Sequence, residues 1–173
     1  MRTFAVLATG QSLTEDQITA VRHLPCVAVS DAYARVPWAV AMVSQDAAWW
    51  KVHPEAKAFF GRKYSGNGVA GTEKVEYEGL INSGTNSGLL ACHIAVTLGA
   101  DRLILLGFDL HGTHYFGPHP SSLRNTQPHR FMQMQQQFAR WRAGVEVINC
   151  TPGTALTCFP IMDLHACLAE LAE

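Results

Sequence analysis

Three groups of residues in this sequence have the types and spacing to act on a phosphorylated ligand. The first is a pair of small-residue turns, Ala8-Thr9-Gly10-Gln11-Ser12-Leu13 and Asn86-Ser87-Gly88. A turn of this kind feeding a helix offers backbone N–H groups to an anion. Gly10 permits a close backbone approach, while Ser12 can donate to a phosphate or simply cap the next helix, as Thr14 can. One glycine is not a dinucleotide fingerprint. The second group is the acids Asp31, Asp46 and Asp109, each just past an apolar run. Such acids hydrogen-bond ribose or base, hold a divalent cation through oxygen, or serve as ordinary loop caps. The third is the stretch Asp109-Leu-His-Gly-Thr-His-Tyr-Phe-Gly-Pro-His-Pro, with His129 beyond it. Asp109, His111, His114 and His119 are spaced to enclose a transition metal, but nothing fixes a tetrahedral set and no metal ligand is assigned. Histidine titrates near neutrality, so one of these is better read as a general base, with Tyr115 as a donor to a leaving phosphate.

These residues need a scaffold that brings them to one edge. Phe4 to Leu7, Pro25 to Ser30, Val40 to Ser44, Arg102 to Leu106 and Val145 to Asn149 are short apolar runs expected as strands, several ending on polar residues. Helices are expected from Thr14 to Arg22, from Ala47 until Pro54 limits it, over Gly88–Leu98, over Phe131–Arg142 and over Met162–Ala172. Gly61 to Gly79 reads as irregular, with only a weak edge strand at Lys74–Tyr77. The Gly88–Leu98 helix and the Arg102–Leu106 strand are expected at the centre of the sheet, since both are apolar almost throughout. The alternation predicts an α/β fold: one Rossmann-like three-layer sandwich over residues 1–173, with a mainly parallel sheet and a short lid at about 110–128.

The bulk properties exclude other classes. Thirteen basic and fourteen acidic residues give a net charge of −1, so no global field attracts nucleic acid or a membrane surface. No run approaches a membrane span, and the first residues do not read as a signal peptide. The five cysteines are odd in number and mostly inside apolar runs, which suits buried thiols in a reducing cytoplasm. A soluble, cytoplasmic homo-oligomer is expected. Trp38, Trp49, Trp50 and Trp141 are expected to fill core, His93 to be a satisfied core histidine, and Gln133 to Gln137 to form a solvated face.

Taken together, Asn86-Ser87-Gly88, the apolar helix ending Leu98-Gly99, and Leu103-Ile104-Leu105-Leu106-Gly107-Phe108-Asp109 resemble the bacterial surface-polysaccharide sialyltransferases that use CMP-sialic acid. Thr9-Gly10-Gln11-Ser12-Leu13 is similar to that family's nucleotide loop, and the stretch from Asn149 to Leu156 to its closing segment. Asn82-Ser83-Gly84 looks like an upstream echo of the second motif. The resemblance implies a shortened relative with a CMP-sugar donor, a saccharide acceptor and no required cofactor. It implies donor-nucleotide contacts from Thr9, Gly10, Asp31, Asp46, Asn86, Ser87, Gly88, Gly107 and Asp109, with Gln11, Ser12 and Phe108 beside them. His129 falls nearest the family's general base, just before the penultimate helix. Tyr115 matches one lid tyrosine, with His114 and His119 in place of a second. The chain departs from the pattern where the family has asparagines at Thr9, Asp31 and Asp46, and its lid is shorter.

A more distant resemblance is to the motility-accessory and hydroxymethylpterin diphosphokinase-like proteins, through the Gly-x-Ser-Leu opening, the strand-end acids and the later Gly-x-Asp. It implies carboxylate-held Mg2+ and diphosphate transfer, although no lysine stands near the first glycine loop. A third alternative is a module that binds a nucleotide or a protein partner without catalysis.

Overall fold

The structure is a computed structural model that describes residues 1–66, 68–75 and 86–171. Its strands are β1 (Thr3–Leu7), β2 (Cys26–Val29), β3 (Ala41–Val43), β4 (Arg62–Ser65), β5 (Glu73–Lys74), β6 (Arg102–Leu106) and β7 (Glu146–Asn149). Its α-helices are α1 (Glu15–Ala20), α2 (Ala47–Val52), α3 (Ser87–Thr97), α4 (Pro128–Arg140) and α5 (Leu164–Leu171), and two 3-10 turns span Ser30–Ala34 and Pro54–Ala58. The strands form one sheet in the order β5-β4-β3-β2-β1-β6-β7, and every neighbouring pair is parallel.

Strand alternation divides the core into two layers. Phe4, Val6, Val27, Val29, Leu103 and Leu105 face α3 and the Phe138 side of α4. Ala5, Leu7, Ala28, Met42, Ile104 and Leu106 face Ile18 of α1, Trp49 and Trp50 of α2, and Leu164 and Cys167 of α5. Covering both faces is what makes β1 buried at all five positions and gives the strands their continuous rather than alternating hydrophobicity. Each buried Leu or Phe of this kind is worth about 1.5–3 kcal/mol relative to exposure. Four of the five cysteines are buried and Cys158 is exposed; all five are free thiols.

The expected α/β sandwich is what the chain forms, with three local corrections. Arg62–Ser65 and Glu73–Lys74 are strands rather than irregular chain. Their charges hid them, because Arg62 pairs with Glu73 across the two strands while Tyr64 and Ser65 supply the buried positions. The proposed edge strand at Lys74–Tyr77 thus begins one residue earlier, and Tyr77 lies outside the described residues. These two strands also move the middle of the sheet to β2, so β6 sits one place in from an edge. Finally, α4 starts at Pro128 rather than Phe131, since proline's fixed φ and missing N–H suit the first helical position. His129 therefore lies inside the first turn of that helix and not before it. The Asn82-Ser83-Gly84 echo falls outside the described residues.

Candidate functional site

From β1 the strands are added outward to β5, and the chain then returns to lay β6 on the other side of β1. The order reverses between β1 and β6, which is where open α/β sheets form a crevice beyond their strand ends. Two turns meet there. The Ala8 N–H donates to the Leu106 carbonyl at 2.8 Å and the Gly10 N–H to the Gly107 carbonyl at 2.9 Å. Gly107 has φ +72°, and Gly10 allows contact so close that a Cβ there would overlap the Asp109 carboxylate. That carboxylate accepts the Ser12 N–H at 3.0 Å and the Ser12 hydroxyl, so it locks the first turn onto the second. The stretch after β7 braces the pair from behind. Thr151 accepts the Phe108 N–H at 3.0 Å, Thr154 donates to the Phe108 carbonyl at 2.6 Å, and the Ala155 N–H reaches the Asp109 carbonyl at 2.9 Å.

Above this junction opens a cavity of about 570 Å³. It brings together Thr9, Gly10, Asp31, Asp46, Asn86, Ser87, Gly88, Gly107, Phe108, Asp109, His114, His119 and His129, but not Gln11, Ser12 or Tyr115. Asn86 caps α3 by accepting the Leu89 N–H at 3.0 Å and donates to Gln137 of α4 at 2.8 Å. Gln137 thus ties two helices together instead of lying on a purely solvated face. Ser87 accepts the Gln45 N–H at 2.9 Å, and Gly88 leaves room for the Phe108 ring. Asp46 caps α2 through the Ala48 N–H at 2.8 Å. Asp31 accepts from the Trp49 indole at 2.8 Å and faces the His53 imidazole at 3.3 Å.

The lid is stitched to the first turn. The Tyr115 N–H donates to the Thr9 carbonyl at 2.8 Å, and the Thr9 hydroxyl lies 2.7 Å from His114 Nδ1. The Tyr115 hydroxyl is committed to the Asp31 carbonyl at 3.0 Å, and its ring lies under the Arg35 guanidinium. Burial, and secondarily the nearby Asp31, push the Tyr115 hydroxyl up to about 12. His114 stacks on Phe116 and contacts His119, with ring centres 4.8 Å and 4.4 Å away. Burial and then His119 hold His114 down to about 4, and burial lowers His119 as well, so both favour the neutral imidazole. His129 is exposed, on the cavity rim.

Several cavity residues carry no sequence motif. Arg124 and Arg130 line the lid side, and Phe131, Met134 and Phe138 form an apolar wall. Ser30 and Leu110 line it too, and both are non-glycine residues in the left-handed region, at φ +45° and +52°. Left-handed backbone in residues with side chains costs energy and concentrates at functional sites. No motif could have flagged it, because it is set by how the strand ends meet. Trp49 packs in the core as expected and also reaches the cavity. His93 is half-buried, with burial lowering its imidazole. Among the described residues no three His, Cys, Asp or Glu side chains converge as a metal set, and no helix is long and apolar enough to cross a membrane.

Comparison of the sequence with protein-family models and with curated proteins gives no match. Among solved structures, the chain is similar to the MAf glycosyltransferase from Magnetospirillum magneticum AMB-1. The TM-score is 0.63 at 14% identity, over 95% of this chain and 34% of that one. This chain therefore spans about a third of the length of that protein. At such identity the likeness shows the fold alone: the α/β layout of this chain is similar to that of a glycosyltransferase, and the sialyltransferase family itself is not reached.

Proposed function

We propose that this chain binds a nucleotide-activated sugar, with CMP as the nucleotide, in the cavity above the β1–β6 junction and transfers the sugar to a hydroxyl of a saccharide acceptor. The observation that carries the reading is the convergence on one cavity of the Thr9-Gly10 turn, the start of α3 and the histidines of the lid and α4. The fold likeness to a glycosyltransferase and the sequence resemblance to CMP-sugar enzymes support it.

In this reading the donor phosphate lies against the Ser87 hydroxyl and the first N–H groups of α3, where the helix dipole favours negative charge. His129 takes the proton of the acceptor hydroxyl as that oxygen attacks the anomeric carbon. The bond from that carbon to the phosphate oxygen breaks, and the phosphate leaves with the electron pair. Tyr115, bonded to the Asp31 carbonyl, gives way to Ser87 and Arg124 as the groups that meet the developing charge. Magnesium-dependent phosphoryl transfer ranks second, because Asp31, Asp46 and Asp109 already have separate protein donors.

Thermal unfolding with CMP, CDP, CMP-sialic acid, GTP and ATP, each with and without Mg2+, tests the assignment. A ligand that binds the native state raises the melting temperature in proportion to the logarithm of its concentration. CMP and CMP-sialic acid are expected to do so without magnesium. Stabilisation by a purine triphosphate with Mg2+ alone would overturn the reading. His129→Ala should abolish transfer while leaving donor affinity nearly unchanged, and a large loss of donor binding would count against its role as base.

A further inference from the structure

A carboxylate at position 31 is awkward in a cavity meant for a phosphorylated ligand, since like charges repel strongly where water is partly excluded. The surroundings of Asp31 answer that difficulty. One carboxylate oxygen accepts the Trp49 indole N–H at 2.8 Å, and the other faces His53 Nε2 at 3.3 Å. The opposite ring nitrogen of His53, Nδ1, lies 3.1 Å from a carboxylate oxygen of Glu55. The imidazole is thus set between two carboxylates, where a proton on each of its nitrogens would place a positive charge against both. His53 also stacks on the Trp49 ring, with centres 4.6 Å apart and planes 30° apart, an arrangement that favours a cation. Asp31 lines the cavity and His53 does not, so His53 stands behind the acid, with Glu55 outermost and mostly exposed. The Tyr33 hydroxyl donates to Glu55 at 3.4 Å.

We infer that His53 is a positioning residue whose imidazole, when protonated, offsets the charge of Asp31 and, together with Trp49, fixes the orientation of its carboxylate, so that the cavity can pair hydrogen-bond donors of a nucleoside with an acid without repelling the attached phosphate. The inference rests on the proposed nucleotide reading and adds how the site tolerates its acid. The ligand class it specifies is an anionic nucleotide whose donor groups meet Asp31 while its phosphate lies elsewhere in the same cavity.

The test measures binding of CMP and of cytidine, which has no phosphate, to the full chain and to His53→Gln, Asp31→Asn, the double variant and His53→Lys. Circular dichroism confirms that each variant is folded. His53→Gln is expected to weaken CMP about fivefold, the order of one partly screened charge, and to leave cytidine nearly unchanged. In the Asp31→Asn background the same change should have no further effect, because a neutral amide needs no counter-charge. His53→Lys, which keeps the charge, should retain most of the CMP affinity. Equal losses for CMP and cytidine would show that His53 merely shapes a surface, and would overturn the inference. So would an undiminished loss in the Asp31→Asn background, or unchanged CMP binding in His53→Gln. These failures leave the nucleotide reading standing, whereas absence of CMP binding to the native chain overturns both.

Discussion

His114 shows how a single side chain couples the lid to acidity. Its imidazole is held down to about 4 in the folded chain, against about 6.5 for a free histidine, chiefly by burial. The unfolded chain therefore binds the extra proton first. Stability from the neutral imidazole is complete above about pH 6.5 and drains away as pH falls through that value toward 4. Melting temperatures at pH 7, 5.5 and 4.5 should show His114→Gln losing less over this interval than the native chain. Parallel losses in the two proteins would show that other groups set the acid response. In sequence, His114 was legible as a lid histidine near the chemistry. Its hydrogen bond to Thr9 and its stack on Phe116 were not, because they depend on the lid folding back over a turn more than a hundred residues away.

Among the elements, the start of α3 does two jobs. Asn86 caps the helix and, through its amide nitrogen, ties it to Gln137 of α4, while Ser87 holds the Gln45 backbone beyond β3. Asn86→Ala removes a cap and leaves a buried helix end short of an acceptor. It is expected to cost about 1–2 kcal/mol in urea unfolding. A loss below a few tenths would mean that the cap contributes nothing. This turn was legible as a helix start because an amide and a hydroxyl precede an unbroken apolar run. β4 and β5 were illegible for the opposite reason. Arg62 and Glu73 break the apolar pattern yet satisfy each other across the strands, an arrangement that exists only once the strands are paired. Pro128 reads in sequence as the end of the lid, although the same ring geometry that ends one element opens another, here α4.

For the molecule as a whole, the parallel sheet puts every strand's carboxyl end on one edge, so the turn after β1, the acids after β2 and β3, and the turn after β6 meet without further design. That is why apolar runs ending on polar residues mark this edge in the sequence, whereas Arg124, in the lid, and Arg130, in α4, reach the cavity through tertiary placement that no local pattern records. The same layering predicts a gradient of protection. Backbone amides of β1, β2 and β6, covered on both faces and paired on both sides, should exchange with solvent most slowly. Those of β5 and of the lid should exchange fastest. Lid amides as slow as those of β1 would contradict this picture.

Ser30 and Leu110 sit in a backbone conformation that glycine would adopt without steric penalty, and each forgoes about 1–2 kcal/mol by keeping a side chain there. Both line the cavity. A sequence tuned for thermal endurance alone would put glycine at both places. The cavity lining is thus where the fold gives up robustness to keep a hydroxyl, which donates to Ser44, and an aliphatic group.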